Sequence, residues 1–115
     1  MKVVICGDRN ITDYDMVKSI IERSGFDIDL VISGACRGVD ILGEKWAREN
    51  DIKIKRFPAD WSKGKQGGPF RDKEMVDLAD AVIAIYTAVS KGTRVTMRMA
   101  EEKGIPVFSV NADLE

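Results

Sequence analysis

The stretch from Leu30 to Asp40, LVISGACRGVD, places a short apolar run directly before a glycine turn. The run Leu30-Val31-Ile32 predicts a buried strand, and residues 33–40 predict a turn that leads into a helix. A glycine-rich turn between a strand and a helix lets backbone N–H groups approach an anion, and the helix N-terminus adds positive potential. This stretch therefore predicts an α/β fold with an anion-binding turn.

Two further strand ends carry the same kind of signal. Ser90-Lys91-Gly92-Thr93 follows the apolar run Ala81 to Ile85, and Gly7-Asp8-Arg9 follows Val3 to Cys6. Because the carboxyl ends of parallel strands meet at one edge of a sheet, we expect all three segments to lie together. They predict a single site for a phosphorylated ligand.

Strand and helix patterns alternate along the whole chain, which predicts a parallel sheet with helices on both faces. Residues 52–57 alternate in polarity and Pro106 opens the last strand, so both of these strands are expected near the sheet edges. Residues 1–115 are predicted to form one domain.

The helix boundaries follow from proline, glycine and capping residues. Pro58 to Gly68 is predicted to be irregular, with the third helix beginning at Pro69. The fourth helix is expected to begin at Gly92 or Thr93. In that helix, Met97 and Val95 are expected to form a patch that faces a partner, which favours a homodimer.

Composition excludes several function classes. The net charge is −1, which gives no global electrostatic case for binding nucleic acid or an anionic membrane. There is no histidine, the usual general base and the commonest metal ligand. Neither a metal nor another cofactor is expected. Two cysteines without CxxC spacing predict a reducing cytoplasm. No apolar run approaches the ~20 residues of a membrane helix. Residues 53–73, Lys63 among them, hold seven basic and two acidic residues, which indicates either a solvated loop or a positive rim.

Four side chains stand out as candidate ligand contacts. Arg37 and Arg71 can pair with a phosphate or carboxylate. Asp40 can favour the helix dipole or hold a ribose hydroxyl. Trp61 is either a loop anchor or a platform on which a base stacks.

Taken together, these motifs resemble the YspA-like branch of the SLOG superfamily. The resemblance rests on the three strand-end segments above, on residues 57–61 and 68–72, and on Ala79-Asp80. It implies a single Rossmann-like three-layer α/β/α domain with a mainly parallel five-stranded sheet. Asp8 and Asp72 depart from the serine and asparagine that are usual in the family.

Two related groups frame the expected function. The segment from Arg71 to Thr93 resembles the LONELY GUY phosphoribohydrolases, which cleave the N-glycosidic bond of nucleoside monophosphates. This chain has Thr96 where those enzymes carry a glutamate, and a hydroxyl cannot supply the charge or act as base near neutral pH. Glu101 and Asp8 are the possible substitutes. The 33–40 turn resembles that of DprA, which implies single-stranded nucleic-acid binding as another alternative.

The sequence therefore favours binding of a nucleotide or nucleotide-derived phosphorylated ligand, as a sensor or sequestering module, over cleavage or nucleic-acid binding. Arg71 is the candidate catalytic residue if the protein is an enzyme. The residues expected to bind the ligand come from the three strand ends, from the segment before the third helix and from the first turn of that helix: Gly7, Asp8, Arg9, Ser33, Gly34, Arg37, Gly38, Asp40, Trp61, Arg71, Ser90, Gly92 and Thr93.

Overall fold

The computed structural model describes the backbone of residues 1–115 and every side chain except that of Lys63, whose part in the basic segment lies outside the described residues. Strands and helices alternate in this order: β1 (Lys2–Gly7), α1 (Tyr14–Arg23), β2 (Leu30–Ser33), α2 (Val39–Glu49), β3 (Lys53–Arg56), α3 (Gly67–Leu78), β4 (Ala81–Tyr86), α4 (Lys91–Lys103) and β5 (Val107–Asn111). Short 3-10 helices cover Trp61–Gln66 and Ala112–Leu114.

All five strands are parallel and lie in the order β3-β2-β1-β4-β5. The chain first adds strands on one side of β1 and then crosses to the other side. Right-handed crossovers therefore put α1 and α2 on one face and α3 and α4 on the opposite face. The predicted fold class is confirmed, and β3 and β5 lie at the edges as expected.

The strand sequences follow from this layering. In β1, Val3 and Ile5 pack against α1 and α2, whereas Val4 and Cys6 pack towards α3 and α4. A strand that is covered on both faces has no polar side, which explains its continuous apolar run. In keeping with these short helices, no helix among the described residues is both long enough and apolar enough to cross a membrane.

Two predicted boundaries were wrong around the third helix. The segment before it forms a 3-10 helix, and α3 begins at Gly67 instead of Pro69. Pro69 is tolerated there because the first turn of a helix does not use its N–H groups. A Cβ on Gly67 would lie 2.2 Å from the Asp60 carbonyl oxygen, so glycine here permits close packing and does not mark a loop.

The fourth helix also differs from expectation. α4 begins at Lys91, before the predicted Gly92 or Thr93. Met97 and Val95 are both half-buried, and Met97 packs in part on the cluster between the sheet and α3, so the partner-facing patch stays a prediction. The buried stripe of α4 is instead polar at its N-terminal end, where it consists of Thr93 and Thr96, and continues to Ala100.

Replacing Gly7 with alanine tests the close approach of β1, β4 and α2. The new Cβ would lie 2.2 Å from the Ile85 carbonyl oxygen and 2.7 Å from the Val39 side chain. We expect Gly7→Ala to lower the free energy of unfolding by roughly 1–3 kcal/mol, measured by chemical denaturation. Gly92→Ala is the matched control: nothing lies within 4 Å of its Cβ position. It should leave stability unchanged or raise it by up to about 1 kcal/mol. Equal stabilities of the two variants would refute this packing.

Candidate functional site

A cavity of about 520 Å³ opens at the carboxyl ends of β1 and β4. This is the point where the strand order reverses, because the connection after β1 leads to β2 on one side and β4 is added on the other. Ligands in open parallel sheets bind in the crevice at such a reversal. The cavity walls are residues 6–10, Cys36 and Asp40, the first turns of α3, and residues 89–93 with Thr96.

The cavity brings together most of the side chains and glycines that the sequence singles out. Those that line it are Gly7, Asp8, Arg9, Asp40, Arg71, Ser90, Gly92 and Thr93. They come from β1, the turn after β4 and the starts of three helices. The residues that line the cavity without having been predicted as ligand contacts include Asn10, Cys36, Asp72, Lys91 and Thr96.

The other candidates lie outside the cavity lining. The Ser33 hydroxyl points into the fold and donates to Glu44 Oε2 at 2.6 Å. Arg37 Nη2 donates to Asn10 Oδ1 at 3.2 Å on the surface. The Trp61 ring lies against Gly68, with 64% of the residue exposed.

Gly34 and Gly38 shape the cavity wall through close contacts. A Cβ on Gly34 would lie 2.7 Å from both Arg71 Nη1 and Asp40 Oδ2. Gly38 has a φ of 81° and packs where a Cβ would lie 2.4 Å from the Asp8 carbonyl oxygen. These glycines therefore hold the β2–α2 turn against α3 and the end of β1.

Asp8 ties the end of β1 to the turn before α4. Its Oδ2 accepts hydrogen bonds from Ser90 Oγ at 2.7 Å and Thr87 Oγ1 at 3.0 Å, and its Oδ1 accepts from the Asn10 amide at 2.8 Å. The hydrogen bond from Ser90 is the largest of the effects that lower the pKa of Asp8. Asp8 is therefore an ionised, hydrogen-bonded carboxylate in the cavity wall.

Arg71 is held by atoms of the protein itself. Nη1 donates to the Gly34 carbonyl oxygen at 2.6 Å and to the Phe57 carbonyl oxygen at 3.5 Å, and Nε donates to Asp72 Oδ1 at 2.8 Å. The guanidinium thus joins the chain after β2 to the chain after β3. Among the described residues Nη2 has no hydrogen-bond partner, so this atom remains for a ligand.

Two buried carboxyl groups flank Arg71. Burial raises the pKa of Asp40 to about 7, while the Cys36 amide and the Arg71 guanidinium act against this rise. Burial also raises the pKa of Asp72, and Arg71 and the Thr96 hydroxyl oppose that rise. A carboxyl with a pKa near neutrality in a cavity is typical of functional sites.

The structure places the Asp72 carboxyl next to the hydroxyl of Thr96. Glu101 is exposed on α4 and does not line the cavity, and Asp8 is bonded to the turn before α4. The sequence does contain a signal for Asp72. It lies three, four and seven residues before Met75, Val76 and Ala79, so it shares the buried face of α3 with them, and an acid on such a face indicates a site.

The first turn of α4 presents unused hydrogen-bonding groups to the cavity. The amides of Gly92 and Thr93 have no acceptor within a helix that begins at Lys91. The Thr93 side chain is buried, with 6% of the residue exposed, and its hydroxyl has no partner among the described residues. The hydroxyl is not enclosed by protein atoms and Thr93 lines the cavity, so it is open to a ligand there.

The raised pKa of Asp40 predicts how stability depends on pH. Between the ordinary value of 3.8 and about 7, the folded protein holds a proton that the unfolded chain has lost. The free energy of unfolding therefore falls as pH rises through this window. Asp40→Asn cannot titrate, so it should become steadily more stable relative to wild type from pH 4 to pH 7.

Chemical denaturation at several pH values measures this difference. Asp51→Asn is the control, because it removes an exposed carboxyl instead. The difference in free energy of unfolding between this variant and wild type should stay constant from pH 4 to pH 7. If the difference in free energy of unfolding between Asp40→Asn and wild type also stays constant, the Asp40 carboxyl is not protonated in the folded state at these pH values.

Comparison with known proteins agrees with this architecture. The model of the YspA, cpYpsA-related SLOG family matches residues 1–64. The Gene 61 protein of Mycobacterium phage D29 is 34% identical over 119 aligned positions, which cover 94% of each chain. The crystal structure of DNA processing protein A (DprA) from Streptococcus pneumoniae superposes with a TM-score of 0.77 at 20% identity. That match covers 94% of this chain and 49% of DprA, so this chain spans about half the length of DprA. The extent of the family match and the identity to the phage protein show that the chain belongs to the YspA, cpYpsA-related SLOG family.

Proposed function

We propose that this protein binds a nucleotide or nucleotide-derived phosphorylated ligand in the cavity at the carboxyl ends of β1 and β4. The observation that carries the proposal is the hydroxyl of Thr93, a residue that lines the cavity with 6% of its surface exposed; this hydroxyl has no partner among the described residues and adjoins two unused helix amides. A phosphoryl group accepts hydrogen bonds from both kinds of donor and is attracted by the positive end of α4. Membership of the SLOG family supports a nucleotide- or nucleic-acid-related binding module.

The size and charges of the cavity agree with such a ligand. Its volume of about 520 Å³ lies within the range of roughly 300–1,000 Å³ that small-molecule sites occupy. Arg9 and Lys91 are exposed where they line it, so their cations can approach a phosphoryl group from the solvent side. Arg71 contributes Nη2 alone, because its other donors hold the protein together.

The proposed biological role is that of a sensor or a sequestering module. A homodimer or higher oligomer in the cytoplasm remains the prediction for its assembly and location.

Isothermal titration calorimetry with nucleoside monophosphates, ADP-ribose and cyclic nucleotides tests the proposal. We expect at least one of these ligands to bind, and Thr93→Val to weaken that binding about tenfold or more, because a hydrogen bond to a charged group is lost. Thr12→Val removes an exposed hydroxyl before α1 and is the matched control. The proposal fails if nothing binds at about millimolar concentration, or if Thr93→Val binds as tightly as wild type.

Cleavage of the N-glycosidic bond is the second candidate, and one observation favours it. Asp40 has a pKa of about 7 and so can act as a general acid in the cavity, and Asp72 supplies a carboxyl beside Thr96. Chromatography of the same incubations detects released base. If wild type releases free base and Asp40→Asn does not, the protein is an enzyme. If the nucleotides stay intact with wild type, binding remains the proposed function.

A further inference from the structure

The carboxylate of Asp8 already occupies an anion position at the start of α4. It accepts from both hydroxyls of the turn, Ser90 Oγ and Thr87 Oγ1. These two hydroxyls are the donors that a phosphoryl oxygen would otherwise use beside the helix N-terminus. With Asp8 in place, a phosphoryl group of a ligand cannot reach them without displacing a bonded carboxylate.

A second position for an anion lies one helical turn further along α4, and no protein carboxylate occupies it. Ser90 caps α4 and Thr93 lies three residues later, on the same side of the helix. Thr93 lines the cavity with 6% of the residue exposed, and its hydroxyl has no partner among the described residues. The first turn of α4 therefore offers two anion positions, of which the protein fills one with Asp8.

Besides the cations of Arg9, Arg71 and Lys91, the cavity wall carries three carboxyl groups. Asp40 and Asp72 lie on the side formed by α2 and α3, and each is more than nine-tenths buried. Asp8 keeps its negative charge, because the hydrogen bonds from Ser90, Asn10 and Thr87 lower its pKa. These carboxyl groups accept hydrogen bonds from donors such as the hydroxyls of a sugar, and the negative charge of Asp8 repels an anion that comes close to it.

We propose that the cavity is selective for ligands with a single phosphoryl group, such as a nucleoside monophosphate, and that Asp8 is the residue that excludes a second one. This inference rests on the proposed function and adds the class of ligand to it. The phosphoryl group lies against Thr93, and the sugar hydroxyls lie towards the carboxyl groups. Nucleoside diphosphates, ADP-ribose and cyclic dinucleotides place a further negative charge near Asp8.

The test is calorimetry with the four ribonucleoside 5′-monophosphates and their diphosphates, in buffer free of divalent cations that would neutralise the second phosphoryl group. For wild type we expect the monophosphate to bind at least about tenfold more tightly than the matching diphosphate. In Asp8→Asn, which has nearly the same shape without the charge, the ratio should fall below about threefold, mainly because the diphosphate binds more tightly.

Asp51→Asn removes an exposed charge at a backbone φ of 55°, which asparagine tolerates, and should keep the wild-type ratio. Asp8→Ser is the second variant if Asp8→Asn does not fold, and circular dichroism checks both. The inference is overturned if wild type binds diphosphates or ADP-ribose as tightly as monophosphates, or if the ratio is unchanged in the folded Asp8 variant. Absence of binding by every ligand would overturn the proposed function, and this inference with it.

Discussion

The position of β1 in the middle of a parallel sheet is the constraint on which the rest of this structure depends. The chain builds outward from β1 to β3, and then crosses to the other side to add β4 and β5. The crossover helices leave in opposite directions over the two faces, so neither covers the crevice above β1 and β4. Every residue of the candidate site takes its position from this reversal.

Polar residues on the buried faces of three helices build the site. Asp40 lies on the buried face of α2, Asp72 on that of α3, and Thr93 on that of α4. Burial raises the pKa of a carboxyl unless hydrogen bonds and nearby cations stabilise its charged form fully. The pKa values of Asp40 and Asp72 are both raised for this reason. Arg71 limits this cost by pairing with Asp72, and the same guanidinium joins the chain after β2 to the chain after β3.

Much of the fold could be predicted from local pattern, because strand runs and glycine turns are short-range signals. The alternation of β1 to β5 and the edge positions of β3 and β5 are of this kind. The start of α3 was not predictable in this way. Gly67 looks like a loop residue in sequence, and only its contact with the Asp60 backbone shows why a helix can begin there.

The site was predictable in location and only partly in detail. Strand-end motifs indicated the sheet edge at which the cavity opens, since topology fixes where parallel strands end. The direction of a side chain depends on distant partners: Ser33 turns inward to Glu44, and Arg71 binds a carbonyl oxygen 37 residues away in sequence. The bonding of Asp8 to Ser90, 82 residues apart, likewise has no local signature.

The most direct measurement of the central claim is a crystal structure with a bound nucleoside monophosphate. The structure predicts a phosphoryl oxygen within hydrogen-bond distance of Thr93 Oγ1 and of the Gly92 or Thr93 amide, with Asp8 still bonded to Ser90. A phosphoryl group bound at the turn of residues 33–38, or on the basic segment of residues 53–73, would contradict the claim.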